Sequence, residues 1–369
     1  MATVKDLADI QKLIANSIDG TAVGDKNLAG IIGDGPSHYS KSPALWNAAF
    51  TALGMNAIYL PFDVADAQVG ELLGVLRATE GFMGINVTVP HKVRVMELLD
   101  AVDPGAARIG AVNTIVKTSA GKLVGYNTDG EGFVESILTT QPGQTKAFMN
   151  SLDGVDVLLL GAGGSARAVA YHVSDRIGAG KLIIANRTRE HGEALAGEIH
   201  QAGREALAID EKEISQWAPR VGLIVNSSTK GQGGIRQLAN GLATILEPYS
   251  ALAPANPPSL KVDLGNDFEQ RWRAAAQTDI EANHRASETL VQTIPPATRF
   301  YDLIYHPEET VFLRHGRATG HRTMNGKSMI VCQAVIAFCK RICQRQLSKL
   351  NKDNDATIAQ VAEVMYRAW

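Results

Sequence analysis

The sequence has no marked excess of either charge and no long apolar segment. Its 369 residues carry 36 Lys and Arg against 38 Asp and Glu, which gives a formal net charge of −2 at pH 7. This balance gives no electrostatic reason to expect a nucleic acid or an anionic membrane as a partner. No apolar run approaches the roughly 18 residues of a membrane span. Charged residues such as Lys5, Asp6 and Lys12 interrupt the apolar core that a signal peptide needs, so we expect a cytoplasmic protein.

Cysteine is scarce, since the chain has only Cys332, Cys339 and Cys343. An odd number argues against a disulfide framework. Their spacing places all three on one face of a predicted helix. A metal site would need further ligands, but no His lies at ligand spacing and the neighbouring residues are apolar. We therefore predict three small buried side chains and no metal site.

The length and the remaining composition are those of an ordinary globular protein. The residues are 45% hydrophobic and 20% charged. A chain of this length can form two domains, each with its own core.

A glycine-rich turn follows a short apolar run in the middle of the chain. Residues 157–160 read Val-Leu-Leu-Leu, which is typical of a buried parallel strand, and apolar residues at helical spacing follow the turn. Strand, glycine turn and helix form the arrangement in which backbone N–H groups hold a dinucleotide pyrophosphate. By itself, such a turn is also compatible with a purely structural role. The candidate cofactor residues are Gly161, Ala162, Gly163, Gly164 and Ser165.

A second apolar strand at residues 181–185 ends in a basic loop made of Asn186, Arg187, Thr188 and Arg189. NAD-binding folds place Asp or Glu at this strand end, about 20 residues after the glycine turn, to bind the ribose 2′-hydroxyl. Here the position holds Arg187, whose guanidinium suits a 2′-phosphate. A solvated basic loop is the alternative. The order of these elements favours NADP.

The first 130 residues alternate between predicted strands and helices. Strands are expected at 28–33, 57–62 and 85–89, and a hairpin at 113–117 and 122–127. Strands that alternate with helices predict a mostly parallel sheet covered on both faces.

Polar side chains follow the ends of these strands, where ligands bind in open α/β sheets. Each one alone is better explained as a cap or turn residue. Together they supply hydroxyls, amides, one cation and one carboxylate, which suits a small polyhydroxylated acid. These residues are Ser40, Ser42, Asn86, Thr88, Lys92, Asn113, Asn127, Thr128 and Asp129.

The sequence resembles the shikimate dehydrogenase family, which also includes quinate/shikimate and aminoshikimate dehydrogenases. Blocks of residues match the family's motifs in the family's order, from about residue 28 to residue 340. The matching blocks are 40–43, 86–92, 110–114, 127–130, 161–164, 186–188, 301–305 and 325–326, with Met329 and Gln333.

The resemblance implies NADP-dependent, reversible reduction of 3-dehydroshikimate to shikimate, in the route to aromatic amino acids. It makes Lys92 and Asp129 the acid/base pair, and it implies that Ser40 and Ser42 hold the substrate carboxylate. The implied residues around the substrate ring and its hydroxyls are Asn86, Thr88, Asn113, Tyr305 and Gln333, and those added to the cofactor site are Leu303 and Gly326.

The resemblance also implies an α/β protein with two domains. The N-terminal α/β substrate-binding domain would comprise residues 1–128 and 326–369. A Rossmann-type NADP-binding domain would comprise residues 129–325, with an insertion at about 234–298. The active site would lie in the cleft between them, and the protein would act on a small molecule as a monomer or homodimer.

Three features depart from the family pattern. Gln232 stands where the family has methionine, and Lys327 where leucine is usual. Quinate and aminoshikimate therefore remain alternative substrates. The segment 234–298, with a helix predicted at 268–276, is longer than the usual connection. It is either a surface elaboration or a lid or subunit contact.

A non-catalytic relative that senses NADP or a shikimate-type acid is the alternative to an enzyme. The intact Lys92 and Asp129 favour the enzyme, because a sensor has no need of a proton donor.

Overall fold

The computed structural model describes residues 4–238, 240–262 and 267–369, which form two compact units. Unit 1 comprises the described residues up to Ser136 together with Thr140–Thr145 and Ser328–Trp369. Unit 2 comprises Ile137–Thr139 and the described residues of Lys146–Lys327.

The secondary structure alternates along most of the chain. The strands are β1 (Asn27–Gly33), β2 (Ala57–Asp63), β3 (Phe82–Val87), β4 (Ala101–Val102), β5 (Thr114–Lys117), β6 (Leu123–Tyr126), β7 (Val157–Leu160), β8 (Leu182–Asn186), β9 (Ala206–Asp210), β10 (Leu223–Asn226), β11 (Ile235–Gln237), β12 (Leu242–Ile245), β13 (Leu260–Lys261), β14 (Arg299–Asp302) and β15 (Thr323–Met324). The α-helices are α1 (Val4–Gln11), α2 (Gly20–Val23), α3 (Pro36–Tyr39), α4 (Ser42–Leu53), α5 (Val69–Ala78), α6 (Pro104–Ile109), α7 (Asp129–Leu138), α8 (Gly164–Ser174), α9 (Arg189–Gln201), α10 (Ile214–Trp217), α11 (Phe268–Val291), α12 (Val311–Ala318), α13 (Lys327–Ala337), α14 (Gln344–Lys349) and α15 (Asp355–Arg367). None of the helices described here is long and apolar enough to cross a lipid bilayer.

Unit 1 contains a six-stranded sheet in the order β2-β1-β3-β5-β6-β4. β1 pairs in parallel with β2 and β3, and β5 and β6 form the predicted antiparallel hairpin. The predicted strand at 85–89 is shifted, because β3 begins at Phe82 and ends at Val87. Pro90 has no N–H to extend the ladder, and the chain turns away from the sheet before it.

The C-terminal helices complete the core of unit 1. The ring of Trp46 on α4 lies 4.7 Å from that of Tyr59 and 5.1 Å from that of Phe338, centroid to centroid. Val361 and Met365 of α15 are buried in the same cluster. Residues of α4 and β2 therefore share one apolar core with the C-terminal helices, and this packing fixes α13 relative to the sheet.

Unit 2 contains a sheet of six parallel strands in the order β15-β14-β10-β7-β8-β9. Read from the other edge, this is the 3-2-1-4-5-6 order of Rossmann folds. The chain reverses direction across the sheet between β7 and β10, and ligands bind at such a switch point. Two α/β units, one of them Rossmann-type, confirm the predicted fold class.

The long segment 234–298 has regular structure. β11, β12 and β13 form a small antiparallel sheet, and α11 extends from Phe268 to Val291. The predicted helix at 268–276 is therefore too short. Buried positions continue at helical spacing beyond it, but two of them are the polar Asn283 and Ser287, which hide the apolar pattern. Within this segment, residues 239 and 263–266 lie outside the described part of the chain.

The segment is anchored in unit 2. Leu290, Val291 and Ile294 pack in one cluster with Phe300 and Phe312. The segment is thus folded against its own unit and shares that unit's core.

The three cysteines are buried and free, as predicted. They do not lie on one regular helix, because a π-helix at Phe338–Ile342 follows α13. Burial raises the pKa of both Cys332 and Cys339 to about 12, which leaves their thiols protonated and unreactive.

Candidate active site

A lysine–carboxylate pair lies at one edge of the sheet in unit 1. Lys92 follows β3 by a turn, and Asp129 begins α7 just after β6. Lys92 Nζ donates a hydrogen bond to Asp129 Oδ2 across 2.6 Å. The two side chains are 24% and 10% exposed, so the ammonium group remains reachable from solvent while its partner is sheltered.

Amide side chains hold Asp129 in one orientation. Asn113 Nδ2 donates to Asp129 Oδ1 across 2.8 Å, and the backbone N–H of Asp129 donates to Asn127 Oδ1 across 3.0 Å. Both carboxylate oxygens are therefore engaged, one by an amide and one by the Lys92 ammonium.

Gln333 joins this group from α13. Its Oε1 accepts from Thr128 Oγ1 across 3.2 Å and from Asn113 Nδ2 across 3.5 Å. The approach depends on Gly132, because a Cβ added there would lie 2.6 Å from the backbone N of Gln333. A side chain at position 132 would therefore push α13 away from α7 and displace Gln333.

A buried tyrosine connects Asn86 to the rest of unit 1, and sequence reasoning missed it. Tyr59 Oη donates to Asn86 Oδ1 across 2.8 Å, and Asn86 Nδ2 donates to Thr114 Oγ1 across 3.0 Å. Burial raises the pKa of the Tyr59 hydroxyl well above its ordinary value, so the hydroxyl stays a donor. The only sequence signal was one hydroxyl-bearing residue within the apolar run that precedes Asp63 in β2.

The predicted hydroxyl residues are half-buried. The backbone N–H of Ser42 donates to Ser40 Oγ across 3.2 Å, and Ser42 also hydrogen-bonds with the Tyr59 side chain. Gly33 makes room for Thr88, since a Cβ at Gly33 would lie 2.4 Å from Thr88 Cγ2. Ser42, Tyr59 and Asn86 thus form one connected path toward Asn113 and Asp129.

Unit 2 contains a cavity of about 640 Å³ at the switch point of its sheet. This volume is within the range of roughly 300–1,000 Å³ that is usual for small-molecule sites. Gly161, Ala162 and Gly163 line it beside Asn186 and Arg187. The glycine turn and the basic strand end therefore come together, as the spacing of the motifs indicates.

Glycine suits two positions of the turn for different structural reasons. Gly161 has φ +112°, which other residues rarely adopt, and a Cβ added there would lie 3.0 Å from both Ser227 Oγ and the backbone N of Ser228. Gly163 precedes the first turn of α8, and a Cβ there would meet open space. The backbone beside the helix N-terminus is thus left bare, as close approach of a phosphate requires.

The remaining predicted cofactor residues do not belong to the described lining of the cavity. Gly164 and Ser165 begin α8. Asn186 Nδ2 donates to the Thr188 carbonyl across 2.7 Å, which shapes the loop that carries Arg187. Arg189 Nε donates instead to Glu193 Oε1 on its own helix, across 2.8 Å.

Leu303 and Gly326 are brought together at the ends of β14 and β15. A Cβ at Gly326 would lie 2.0 Å from the Leu303 carbonyl oxygen, so only glycine fits without moving this loop. Asp302 holds the same loop, because its Oδ1 accepts from the Ile304 N–H across 2.9 Å. Tyr305 follows in this loop and is half-buried.

In the described part of unit 2, four charged residues line the cavity, and of these only Arg187 was predicted. Lys230 follows β10, Arg236 lies on β11 and Glu211 follows β9. Sequence reasoning missed these three because two of them belong to no matched motif and Arg236 lies in the inserted segment. The two departures from the family pattern, Gln232 and Lys327, also lie in unit 2, and Gln232 is exposed.

A parallel 3-2-1-4-5-6 sheet with a glycine turn at its switch point, in a chain that also carries a lysine–carboxylate pair, defines the class of dinucleotide-dependent oxidoreductases. Two family models match, the shikimate dehydrogenase substrate binding domain over residues 31–115 and shikimate / quinate 5-dehydrogenase over residues 144–237. The NADP(+) shikimate dehydrogenase of Carboxydothermus hydrogenoformans is 36% identical over 320 residues, which cover 86% of this chain and 92% of that relative. The chain therefore belongs to the shikimate dehydrogenase family.

Solved structures agree with this assignment. A shikimate dehydrogenase crystallised in complex with NADP+ is 28% identical, with a TM-score of 0.63 over 94% of this chain and 95% of that chain. The quinate dehydrogenase from Corynebacterium glutamicum in complex with NAD is 27% identical, with a TM-score of 0.65 over 93% of this chain and 99% of that chain. The predicted family and fold class are confirmed.

The residues present fit an NADP cofactor. Bare backbone at Gly163 borders a cavity that also contains Arg187 at the strand end. Three of the four charged residues in the described lining are cations, which suits a ligand with several phosphate groups.

Proposed function

We propose that the protein catalyses the NADP-dependent, reversible reduction of 3-dehydroshikimate to shikimate. It is an oxidoreductase of the shikimate pathway, and the curated relatives are named NADP(+) shikimate dehydrogenases. The observation that carries the proposal is the 2.6 Å hydrogen bond between Lys92 and Asp129, in a chain whose other unit has a dinucleotide cavity. An acid/base pair and a hydride carrier are the two components that the reaction needs.

The chemistry follows from proton balance. When bound, NADPH supplies a hydride to the carbonyl carbon. The carbonyl oxygen then gains negative charge and needs a proton in the same event. Lys92 Nζ donates that proton, and Asp129 holds the ammonium in place and stabilises its positive charge. In the oxidation direction, neutral Lys92 accepts the hydroxyl proton of shikimate.

The remaining polar residues of unit 1 orient the substrate. Ser40 and Ser42 provide hydroxyl donors for the carboxylate, and Thr88, which is half-buried as they are, adds a further hydroxyl. Gln333 and Asn113, which already contact each other, bind ring hydroxyls close to the acid/base pair. Asn86 acts mainly as a support, because its side-chain oxygen and nitrogen are both engaged by protein groups. Tyr305 of unit 2 adds a further hydroxyl.

Unit 2 binds the cofactor, and unit 1 binds the substrate. The glycine turn binds the pyrophosphate through backbone N–H groups, and Arg187 binds the 2′-phosphate, with Thr188 beside it. Support for this division comes from the two family models, one of which describes a substrate-binding domain and matches residues of unit 1.

The reaction takes place in the cytoplasm, and the protein acts as a monomer or homodimer.

Quinate is the alternative substrate. The observation in its favour is the similarity to a quinate dehydrogenase, together with a family model that includes quinate. Quinate carries a carboxylate and all the ring hydroxyls of shikimate, with one more hydroxyl on the carboxylate-bearing carbon, so the same unit 1 residues would bind it.

The test is oxidation of shikimate by the purified full-length protein with NADP+. We expect NADPH and 3-dehydroshikimate to form in equal amounts, with the product identified by mass spectrometry. Reduction of NADP+ with quinate but not with shikimate would show that quinate is the substrate. The absence of turnover with either acid would contradict the proposal itself.

A further inference from the structure

We propose that the inserted segment 234–298 completes the cofactor site of unit 2, and that Lys230 and Arg236 bind the cofactor 2′-phosphate together with Arg187. The inference rests on the proposed use of NADP. It assigns a binding role to two residues outside the motifs that define the family.

The first support is the lining of the cavity. Residues from the glycine turn and from the end of β8 line one part of it, and residues of the inserted segment line another. The inserted residues include Leu246, Ala251, Ala255 and Pro257, which are apolar and suit the faces of a purine base. Without this segment, that part of the cavity wall would be missing.

The second support is the distribution of charge. Among the residues that the structure describes, the lining contains three basic side chains, Arg187, Lys230 and Arg236, and one carboxylate, Glu211. Burial lowers the pKa of Lys230 to about 7, and repulsion from Arg187 adds to this effect while Asp279 opposes it. A dianionic phosphate ester beside both groups would relieve the repulsion. NAD, which lacks this phosphate, would leave it in place.

The third support is that both side chains are held in position. Lys230 Nζ donates to the Ala253 carbonyl across 2.7 Å and forms an ion pair with Glu211. Arg236 Nη1 donates to Thr229 Oγ1 across 2.8 Å. Fixed cations lose little conformational entropy when an anion binds.

Helix α11 supports the part of the inserted segment that lines the cavity. Trp272 Nε1 donates to the Pro258 carbonyl across 2.8 Å, and Asn283 Nδ2 donates to the carbonyls of Ala253 and Pro254 across 3.1 Å. The helix thus braces the loop that contributes Ala255 and Pro257 to the lining. It is in turn held by Ser287 Oγ, which lies 2.8 Å from His315 Nδ1 on α12.

This anchoring also decides how the inference can be tested. Replacing residues 236–296 by a short linker would remove Leu290, Val291 and Ile294 from the core of unit 2. A loss of function in that deletion would not separate binding from folding. Single substitutions in the lining are the sharper experiment.

The experiment measures binding to the full chain by calorimetry, without substrate. The two probes are adenosine 2′,5′-bisphosphate and adenosine 5′-monophosphate, which differ only in the 2′-phosphate. The variants are Lys230→Met and Arg236→Gln. The matched control is Arg273→Gln, an exposed arginine of α11 that pairs with Glu269 on the same helix.

We expect each variant to weaken binding of the bisphosphate about tenfold, the usual effect of losing one charge-assisted hydrogen bond. Binding of the monophosphate should change less than about twofold, and the control should leave both affinities unchanged. Equal weakening of both probes, or no change with either, would overturn the inference. If Lys230→Met does not fold, the exposed Arg236→Gln decides the question alone.

The outcome is independent of the substrate assay. If the preference for the bisphosphate depends on Lys230 and Arg236, the result supports this inference even if shikimate is not the substrate. Conversely, shikimate turnover with unchanged probe binding in both variants would overturn this inference and leave the proposed reaction intact.

Discussion

Lys92 and Asp129 are 37 residues apart in the chain, yet Lys92 Nζ and Asp129 Oδ2 lie 2.6 Å apart. The contact depends on sheet topology, because β3 and β6 run in the same direction on either side of β5. The segments after both strands therefore leave the sheet at the same edge. This placement gives an ammonium group and a carboxylate in the one region of unit 1 where Asn113 and Gln333 also converge.

Lys92→Ala should lower kcat by about 10²–10⁴-fold, the usual contribution of a positioned general acid or base. The affinity for NADP should stay nearly unchanged, since Lys92 belongs to unit 1. Steady-state rates and a calorimetric NADP titration measure the two effects. The control is Lys122→Ala, which removes an exposed lysine from the β5–β6 turn and should leave both values unchanged. A Lys92→Ala protein with wild-type turnover would contradict the assigned proton transfer.

Tyr59→Phe should destabilise the protein and raise KM for the substrate. The substitution leaves the buried Asn86 Oδ1 without its 2.8 Å donor, which costs about 1–3 kcal/mol. Asn86 also holds the Asn113 carbonyl and Thr114, so its displacement should loosen the group around Asp129. Urea denaturation and steady-state kinetics report the two effects. Tyr171→Phe, which loses a hydroxyl bonded to Glu198 in unit 2, should leave the substrate KM unchanged. An unaltered KM in Tyr59→Phe would exclude the positioning role.

Arg187→Ala should raise KM for NADP much more than KM for NAD. The guanidinium gains a charge-assisted partner only when a 2′-phosphate is present. The comparison variant is Arg204→Ala, an exposed arginine that pairs with Asp175. If the wild-type protein prefers NAD, or if Arg187→Ala affects both cofactors equally, the assigned role of Arg187 is wrong.

Asp302 should make stability depend on pH. Burial raises its pKa to about 7 against an ordinary value of 3.8, although Thr310, Ile304 and Asn226 all donate to it. The folded protein therefore keeps a proton that the unfolded chain releases, and the stabilising contribution is lost as the pH rises from about 4 to about 7. Asp302→Asn removes this titration.

The measurement is the free energy of unfolding in urea at a series of pH values. The wild-type value should fall relative to that of Asp302→Asn up to about pH 7 and then level off. A difference between the two proteins that stays constant over this pH range would show that Asp302 does not titrate as described.

Short-range patterns were enough to predict β1, β2, β5, β6, β7, β8 and the glycine turn, and they predicted β3 with a shift, whereas β4, β9 and β15 were not predicted. An apolar run, a turn and a helical repeat are all contained in a few neighbouring residues, as at 157–166. The proximity of Lys92 to Asp129 came from the family resemblance, and the structure supplies the hydrogen bond between them.

Features set by tertiary packing were missed. The buried Asn283 and Ser287 broke the apolar repeat of α11, because their polar atoms are satisfied by a distant loop and by His315. Lys230 and Arg236 became cavity residues only through the fold of the inserted segment. Tyr59 reads as an ordinary strand residue until its hydroxyl is seen to reach Asn86.

The central claim is tested most directly by kcat/KM for shikimate and for quinate, each measured with NADP+ and with NAD+ on the wild-type protein. We expect the highest value for shikimate with NADP+, and a clear loss when either the acid or the cofactor is exchanged. A higher value for quinate, or a preference for NAD+, would contradict the account.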